Sequence, residues 1–353
     1  MTAGAARRAG PSLPPNCAAD IRALLARCRF PPPGTPVACA VSGGADSLAL
    51  LVLAVAADLE VTAIHVDHGL RPESASEAKV VAAAASSFGA SFTSVAVSVG
   101  AGPNLEARAR FARYAALPAG VLTGHTADDL AETMLVNLLR GAGLDGLSPM
   151  RASEWGPGQG SAPGAERVMR PLLGLRRAET RAVCESAGLL PVEDPSNADP
   201  RFVRNRVRHE LLPLLASVSG RDPVPVLTRQ ASLLGEEAAF LDSLAASLDP
   251  TDARALAGAA PALARRAIRE WLRAVPVDGD QHPPSFGEVE RVLAVIRGEV
   301  VACELSGGRR VSRSRGRLFV SRGTRSERSW LGAGNRLTAA FDPDGARPSP
   351  RLP

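Results

Sequence analysis

The sequence predicts an α/β fold, in which a parallel-sheet domain precedes a smaller, mainly α-helical domain. Strand-like and helix-like segments alternate over residues 36–215, which is typical of βαβ units around a buried parallel sheet. From about residue 223 to 297 the pattern is helical and rich in alanine and leucine. The two predicted domains cover residues 31–216 and 223–323. A flexible N-terminal tail and lead-in is expected at 1–30, and a disordered tail at 326–353.

Four strands and four helices are predicted in the first domain. The strand segments are 37–41, 61–66, 91–97 and 120–123, and the helical segments are 47–57, 74–88, 104–117 and 128–140. Ligands bind at the carboxyl ends of parallel strands, so the candidate site comprises the loops at 42–47, 65–71 and 124–129. A glycine-, proline- and serine-rich stretch at 141–165 predicts a long loop. Residues 302–322 alternate around Gly307 and Gly308, which predicts a hairpin.

The composition of the 353 residues is that of an ordinary globular protein. The net charge of +5 suits a polyanionic partner without proving one. Lys79 is the only lysine, which argues against Schiff-base chemistry. The five cysteines form no C-x-x-C pair, which argues against metal clusters and disulfides and fits a cytoplasmic location. No apolar run of 18 residues is present, so no membrane helix is expected.

An anion-binding corner is predicted where the first strand meets the first helix. The strand runs into Ser42, Gly43 and Gly44, and Asp46 and Ser47 open the helix. Glycine permits close backbone approach, and a helix N-terminus presents N–H groups and a positive dipole to an anion. The serines can bind phosphate oxygens, and Asp46 can hold magnesium on them. No lysine follows the glycines, so this is not the loop of ordinary P-loop ATPases. The alternative is a plain serine–glycine turn.

Two histidines and an aspartate lie at the end of the second predicted strand. His65, Asp67 and His68 are close enough in sequence to suggest a metal site. The spacing supplies only two or three ligands, so a polar loop that lines a pocket is the favoured interpretation.

The densest cluster of candidate catalytic residues follows the fourth predicted strand. If a helix begins near Asp128, then Asp129, Glu132 and Thr133 share one face, with His125 at the junction of strand and helix. A histidine beside paired carboxylates can bind a cationic amine, hold magnesium or take up a proton. The alternative is a solvated acidic face on a helix capped by Asp128.

Arginines form two further candidate sites. Arg110 and Arg113 share one side of a predicted helix with Glu106, where an ordinary intrahelical ion pair is the alternative. Residues 201–208 carry four arginines, opposed nearby only by Glu210. Arginine forks suit the phosphate oxygens of ATP or of an RNA backbone, and a solvated basic helix is the alternative.

Taken in order, these motifs resemble the tRNA(Ile)-lysidine synthetase family of the PP-loop ATP pyrophosphatase superfamily. The resemblance covers about residues 37–215. The matching stretches are VSGGADSLAL, HVDHGLR, NLEARARFARY, TGHTADDLAETMLVNLLRGAG, RPLLGLRRAETRAVCESAGLLPVEDPSN and FVRNRVRHELLPLL. The resemblance implies an adenine nucleotide α-hydrolase-like PP-loop domain. It also implies the family's smaller tRNA-binding domain at 223–323, although the motifs there are less specific.

The resemblance also implies a reaction, namely that of an ATP-dependent carbon–nitrogen ligase acting on tRNA(Ile) with a CAU anticodon. ATP, with Mg²⁺, adenylates the C2 oxygen of the wobble cytidine, and the ε-amine of free L-lysine then displaces AMP to give lysidine. No membrane partner is implied. The oligomeric state stays open, with a homodimer as one option.

Residue by residue, the resemblance implies three groups in the site. ATP-binding residues are Ser42, Gly43, Gly44, Ala45, Asp46 and Ser47, with Asp46 also near magnesium. Catalytic residues are Asp46, His125, Asp129 and Glu132; the acidic pair is expected to bind lysine's ammonium groups and to help deprotonate the amine, and His125 to position a reacting group. Phosphates of ATP or tRNA are expected at Arg110, Arg113, Arg204, Arg206 and Arg208.

Three alternatives remain at this point. A tRNA 2-thiolation enzyme generally uses paired cysteines or an iron–sulfur cluster, for which the chain has no motif. An amide-forming ligase would need a glutamine-hydrolysing domain or partner. A non-catalytic tRNA-binding protein is the third alternative, and the intact loop and acidic helix argue against it.

Overall fold

The computed structural model describes residues 15–67, 74–98, 105–150, 168–193, 199–275 and 284–322. These residues form two compact units, which divide between Ala245 and Ala246. The predicted C-terminal tail and most of the predicted loop at 141–165 lie outside the described residues. Within the described ranges, no helix is long and apolar enough to cross a bilayer.

The first unit has strands and helices in alternation. Its strands are β1 (Pro36–Ala40), β2 (Glu60–Asp67), β3 (Ser91–Ala96), β4 (Val121–Leu122) and β5 (Val168–Met169). Its helices are α1 (Pro15–Leu25), α2 (Ala45–Ala56), α3 (Ser74–Ser87), α4 (Leu105–Ala116), α5 (Ala127–Leu139), α6 (Leu144–Leu147), α7 (Arg177–Ser186), α8 (Val203–Arg206), α9 (Leu212–Ser219) and α10 (Val224–Ala245). A π-helical turn at Val207–Leu211 joins α8 to α9.

The five strands form one parallel sheet in the order β3-β2-β1-β4-β5. The predicted parallel α/β fold is therefore confirmed, with the four predicted strands and helices close to their expected positions. The strand order reverses between β1 and β4, and such a switch point opens a crevice at the carboxyl edge of the sheet. The loops after β1 and β4 both lie there. Strand β5 was not predicted.

Helix α2 anchors this edge to the hydrophobic core. Leu48, Leu50, Leu51 and Leu53 are all fully buried, because α2 packs against the sheet on one side and α7 on the other. A helix that is apolar on every side belongs in a protein interior. The first turn of α2 is consequently held in a fixed place relative to the strands.

Helix α1 lies in the segment that was predicted as the lead-in to the first domain. Ile21 is buried in the main core, and Arg27 binds Glu179 through its Nη1 and Nη2 atoms, at 2.5 and 3.0 Å. The pattern over these residues is too short to separate a helix from a polar tail. The lead-in thus packs against the first unit, and the predicted flexible tail up to about residue 15 lies almost wholly outside the described residues.

The second unit contains helices and a small antiparallel sheet. These elements are α11 (Ala253–Gly258), α12 (Pro261–Ala274), α13 (Phe286–Arg297), β6 (Ala302–Glu304), β7 (Arg309–Ser314) and β8 (Arg317–Arg322). The sheet has the order β6-β7-β8, so three strands replace the predicted hairpin. The second turn is made by Arg315 and Gly316, both with positive φ (48° and 79°), as in a type I′ turn.

The boundary between the units differs from the predicted one. Helix α10 was expected to open the second domain, but it belongs with the first unit. Ala231 of α10 is buried against Leu130 and Met134 of α5. A helical pattern shows that one face is apolar but does not show which core that face joins.

Candidate active site

The loop between β1 and α2 is preformed by its own hydrogen bonds. Ser47 Oγ donates to the Gly44 carbonyl oxygen at 2.8 Å and accepts from the Ser42 backbone N–H at 3.2 Å. Gly43 has a φ of +91°, which a residue with a Cβ rarely adopts. The Val192 N–H donates to the Gly43 carbonyl at 2.9 Å. The loop therefore has its shape before any ligand arrives.

A second glycine brings the loop after β4 against the first turn of α2. A Cβ added to Gly124 would lie 2.4 Å from the Asp46 carbonyl oxygen and 3.0 Å from the Ser47 nitrogen. Real Cβ atoms do not approach backbone atoms this closely, so only glycine fits. This contact fixes the distance between the loop that joins β1 to α2 and the acidic helix α5.

The predicted acidic pair lies on one face of α5 and is buried. Thr126 precedes the helix, and its backbone N–H and hydroxyl both donate to Asp129 Oδ2, at 2.8 and 3.0 Å. Glu132 is one turn further along and is fully buried. The arrangement follows from their spacing of three residues, which places both on the same side of a helix.

Three arginines converge on this acidic pair. Arg177 donates to Glu132 Oε1 and Asp129 Oδ1, at 2.9 Å each. Arg204 donates to Glu132 Oε2 at 2.9 Å and to Asp129 Oδ1 at 2.8 Å. Arg208 binds both oxygens of Glu132, at 2.7 and 3.0 Å. The structure thus joins the predicted acidic pair to two of the predicted phosphate-binding arginines.

Asp46 connects the acidic pair and its arginines to the loop between β1 and α2. Its Oδ2 lies 3.6 Å from Arg177 Nε, and its Oδ1 accepts a hydrogen bond from the buried Thr180 hydroxyl. We call the whole set the carboxylate–arginine cluster: Asp46, Asp129, Glu132, Arg177, Arg204 and Arg208. With three carboxylates and three guanidinium groups, it carries no net charge when all are ionised.

Both carboxylates of the acidic pair have their acceptor positions filled. A carboxylate offers about four lone-pair sites. Glu132 receives four hydrogen bonds, all from arginines. Asp129 also receives four, two from arginines and two from Thr126. An ammonium group can therefore bind either residue only in exchange for a present donor.

Burial and charge act in opposite directions on the pKa values of this cluster. Burial alone would raise the pKa of Glu132, but the Arg208 hydrogen bond and then the charges of Arg177 and Arg204 hold it below its usual range. Burial would also raise the pKa of Asp129, but the charges of Arg177 and Arg204 and the hydrogen bond from the Thr126 backbone lower it. Burial raises the pKa of Asp46, and the charge of Asp129 adds to this. Asp129 and Glu132 are consequently weak proton acceptors at neutral pH.

Two histidines flank the central strand at the carboxyl edge. His125 lies with its Nδ1 atom 2.8 Å from Thr123 Oγ1, and its charge contributes to the lowered pKa of Asp129. His65 is buried, with Nδ1 3.0 Å from the Val41 carbonyl oxygen. His68 lies outside the described residues. Across the described part of the chain, no group of three or more histidine, cysteine or acidic side chains could hold a metal ion.

Two further predicted arginines, Arg206 and Arg113, have exposed side chains. Arg206 binds Glu210 one turn away at 2.9 Å, and both side chains are exposed. Arg113 is exposed on α4. The side chain of Arg110 lies outside the described residues.

Comparison with known proteins agrees with this geometry. The model of the PP-loop domain family (ATP_bind_3) matches residues 16–215. A curated tRNA(Ile)-lysidine synthase from Nocardia farcinica is 42% identical over 328 residues, which cover 87% of this chain and 98% of that protein. The chain belongs to the tRNA(Ile)-lysidine synthase family.

Other tRNA(Ile)-lysidine synthases have a similar extent of identity. The protein from Rhodococcus opacus is 42% identical, over 82% of this chain and 90% of its own. The protein from Salinispora tropica is 41% identical, over 87% and 97%. Among solved structures, the U34-tRNA thiolase NcsA from Methanococcus maripaludis gives a TM-score of 0.49 at 17% identity, over 63% of this chain and 81% of that one. A structural similarity this low supports no conclusion about function.

Two residues of this tRNA(Ile)-lysidine synthase family member were missed by sequence reasoning. Arg177 contacts all three carboxylates of the cluster, and Thr180 binds Asp46. A signal was present, since Arg176 and Arg177 stand at a helix N-terminus, where the helix dipole disfavours cations. A local rule that is broken in this way often marks a functional site.

Proposed function

We propose that this chain makes lysidine at the wobble cytidine of tRNA(Ile) with a CAU anticodon. ATP adenylates the C2 oxygen of the cytidine with release of pyrophosphate, and the ε-amine of free lysine then displaces AMP. Membership of the tRNA(Ile)-lysidine synthase family supports this reaction. The structural observation that carries it is the 3.6 Å contact between Asp46 and Arg177. This contact connects the loop between β1 and α2 to the rest of the carboxylate–arginine cluster.

In this proposal, residues 42–47 bind the phosphates of ATP. The preformed loop and the N-terminus of α2 present backbone N–H groups and a positive dipole to an anion. Ser42 is exposed and can add a hydroxyl donor, whereas the Ser47 hydroxyl already donates to the Gly44 carbonyl. Ser47 would therefore shape the loop, and Ser42 would contact the nucleotide.

Magnesium fits this site through a single carboxylate. Mg²⁺ is commonly held by one or two carboxylates together with substrate phosphates and waters. The Asp46 side chain is 27% exposed at the mouth of the loop, and burial raises its pKa, so a bound cation would favour its ionised form. Asp46 would hold the ion, whose charge would offset that of the departing pyrophosphate.

Lysine's ammonium groups, in this proposal, bind Asp129 and Glu132 after one arginine has moved. Arg204 is the most exposed of the three arginines, at 37%, and it bonds one oxygen of each carboxylate. If Arg204 turns to a phosphate of ATP or tRNA, each carboxylate loses one donor. A substrate anion and the lysine cation would then bind the cluster together.

A cavity of about 210 Å³ beside Glu132 offers room for the rest of a lysine molecule. Its lining includes Arg176 and Arg208, the apolar Leu212 and Val224, and the acidic Asp128 and Asp222. Guanidinium groups suit a carboxylate, and the apolar wall suits a chain of methylene groups. Both features support free lysine as the nucleophile.

Contacts to tRNA are proposed for the arginines outside the cluster and for the second unit. Arg113 and Arg206 are exposed, and exposed arginines can neutralise RNA phosphates. Arg110 belongs to the same proposal by its place on α4. The predicted tRNA-binding role of residues 223–323 rests on the family resemblance and on the net charge of +5.

The described cysteines give no support to the thiolation alternative. Burial raises the pKa of Cys28, Cys39 and Cys184 to about 12, and it also raises the pKa of Cys303. Sulfur transfer requires a thiolate, and these thiols stay protonated at neutral pH. Lysidine formation therefore remains the function that the site supports best.

The test is incorporation of labelled lysine into unmodified tRNA(Ile) with a CAU anticodon, in the presence of ATP and magnesium. We expect labelled tRNA together with equal amounts of AMP and pyrophosphate. Methionine tRNA, which has the same anticodon, is the matched control and should stay unlabelled. Pyrophosphate release without lysine transfer would point to another nucleophile, and no ATP cleavage would favour a tRNA-binding protein.

A further inference from the structure

The small sheet of the second unit has one face toward the core and the other toward solvent. Val311 of β7 and Leu318 of β8 are buried in the hydrophobic cluster of this unit. Because side chains alternate along a strand, the residues next to these two point outward. We call the outward surface of β7 and β8 the outer sheet face, which consists of Arg310, Ser312, Ser314, Arg317, Phe319 and Ser321.

Phe319 lies in the middle of the outer sheet face and is 53% exposed. Its partner across the two strands is Ser312, and its neighbours on the same face of β8 are Arg317 and Ser321. A protein or membrane surface would require a contiguous apolar patch, which these polar neighbours interrupt. A single exposed ring among polar groups instead fits one unstacked nucleobase, whose flat surface stacks on an aromatic side chain.

The charge of this hairpin suits the phosphates that connect such bases. Residues 305–322 contain six arginines and no acidic residue. Two of these arginines have a structural role on the core side of the sheet. Arg309 donates to the Leu272 carbonyl oxygen at 3.0 Å, and Arg313 donates to the Ile296 carbonyl oxygen at 2.7 Å. Both carbonyls belong to the last turn of a helix, where the dipole favours a cation.

The outward arginines can be reached by a polyanion. The side chains of Arg310 and Arg317 are 46% and 52% exposed. Arg310 Nη1 lies 3.8 Å from Glu304 Oε1, and Arg317 pairs with Asp249; both of these carboxylates are exposed as well. Exposed ion pairs contribute little to stability, so an RNA phosphate can replace either carboxylate. Arg315, exposed in the turn between the strands, adds a third positive charge.

We propose that the outer sheet face binds an unpaired segment of the RNA substrate, with Phe319 stacked on one base. Arg310, Arg315 and Arg317 bind the phosphates on either side of that base. The identity of the RNA as a tRNA rests on the proposed function, whereas the mode of binding rests on this face alone. The bases of a duplex are already stacked on each other, so a duplex can use the arginines but not the aromatic ring.

The test compares a short unstructured RNA with a blunt RNA duplex of the same length, by fluorescence anisotropy with the full chain. Phe319→Ile keeps a β-branched strand former at this half-exposed position, so its melting temperature should match that of the wild type. It should bind the single strand at least about 5-fold more weakly, as expected for the loss of one stacked base, and the duplex equally well. Phe319→Tyr keeps the ring and should bind both RNAs like the wild type.

Two results would overturn the role of Phe319. Unchanged affinity of Phe319→Ile for the single strand would show that no base stacks on the ring, and would leave the face to a protein partner. An equal loss of affinity for the single strand and the duplex would show that the substitution acts through the fold rather than through stacking.

A second pair of variants tests the arginines. Arg310→Gln should weaken the binding of both RNAs and lower the slope of log affinity against log salt concentration by about one phosphate contact. Arg297→Gln is the matched control, because Arg297 also forms an exposed ion pair, with Glu299 at 2.5 Å. It belongs to α13, which packs against the core side of the sheet. An unchanged salt slope in Arg310→Gln would contradict phosphate binding at the outer sheet face.

The lysine-transfer assay separates this proposal from the proposed function. Phe319→Ile should raise the KM for tRNA without changing kcat, because the ring binds the substrate away from the reacting atoms. A lower kcat at unchanged KM would contradict a binding role. A wild-type chain that transfers no lysine would refute the proposed function, while the comparison of single strand and duplex would still decide the role of Phe319.

Discussion

The Arg208 guanidinium binds the Glu132 carboxylate through two parallel hydrogen bonds, 2.7 Å from Nε to Oε1 and 3.0 Å from Nη2 to Oε2. Glu132 is fully buried, and Arg177 and Arg204 supply its other two donors. The carboxylate therefore holds three guanidinium groups in place. Its removal would leave three guanidinium groups opposed by only two carboxylates, those of Asp46 and Asp129.

Replacement of Glu132 by glutamine should strongly destabilise the first unit. Breaking a buried ion pair typically costs about 3–5 kcal/mol, and each 1 kcal/mol corresponds to about 2–4 °C in a domain of this size. We expect the melting temperature to fall by more than about 6 °C in a thermal denaturation experiment. Glu210→Gln, which breaks the exposed pair with Arg206, is the matched control and should change it by about 1 °C or less. Equal melting of both variants would contradict the role of Glu132.

Replacement of Arg204 by alanine should strengthen lysine binding in the absence of ATP and tRNA. Each carboxylate of the acidic pair then loses one donor and gains an acceptor position for an ammonium group. We expect lysine affinity to rise several-fold by isothermal titration calorimetry, while ATP affinity falls. Arg206→Ala, two residues away, should leave both unchanged. Weaker lysine binding in Arg204→Ala would show that Arg204 binds the amino acid itself.

Replacement of Gly44 by alanine tests the ATP-binding loop without disturbing the fold. Gly44 has a φ of −74°, and an added Cβ would come no closer than 3.8 Å to other protein atoms. The melting temperature should stay the same, but the methyl group would obstruct a phosphate bound to the loop. We expect ATP affinity to fall at least 10-fold in an equilibrium binding assay. Gly143→Ala, also in open space, is the control; unchanged ATP affinity in Gly44→Ala would place the phosphates elsewhere.

Replacement of Gly124 by alanine, unlike that of Gly44, should lower stability as well as activity. Its Cβ would clash with the Asp46 carbonyl oxygen, at 2.4 Å. The loop after β4 must then move away from α2, which lowers stability by about 1–3 kcal/mol and separates Asp46 from the acidic pair. Thermal denaturation and pyrophosphate release should both show a loss. A variant with wild-type melting and turnover would mean that the contact is not needed.

Replacement of Asp46 by asparagine should raise stability while abolishing turnover. The pKa of Asp46 is raised in the folded chain, so its ionised form disfavours folding at pH values above that pKa, and asparagine removes this effect. Without nucleotide or magnesium at pH 7, we expect a melting temperature a few degrees higher than that of the wild type. The difference should shrink as the pH falls through the Asp46 pKa, because the wild-type carboxyl then takes up a proton. A lower melting temperature at pH 7 would show that the contacts with Thr180 and Arg177 outweigh burial.

The positions of the loops at the carboxyl edge were predictable from local patterns. Apolar segments end at residues 41 and 123, glycine and polar residues follow, and parallel strands bring such ends to one edge. The shared face of Asp129 and Glu132 follows from their spacing on a helix. These inferences use only neighbours in sequence and one topological rule.

The pairing inside the cluster was not predictable in the same way. Arg177 and Glu132 are 45 residues apart, and Arg204 and Glu132 are 72 apart. A sequence shows that such charges exist but not that they neutralise each other, because the pairing depends on how α7 and α8 pack against α5. The acidic pair and the basic segment were therefore assigned to separate ligands, although they contact each other directly.

The π-helical turn at Val207–Leu211 makes the length of this segment critical. Arg204 and Arg208 lie on the side that meets the acidic pair, while Val207 and Leu212 are buried in the core. Each residue of a regular α-helix advances the side chains by about 100°. A point substitution here keeps the angular phase between the arginines and the buried residues. The deletion of a single residue would restore a regular helix, and the arginines and the buried residues would then no longer face their present partners. The segment therefore tolerates changes of side chain far better than changes of length.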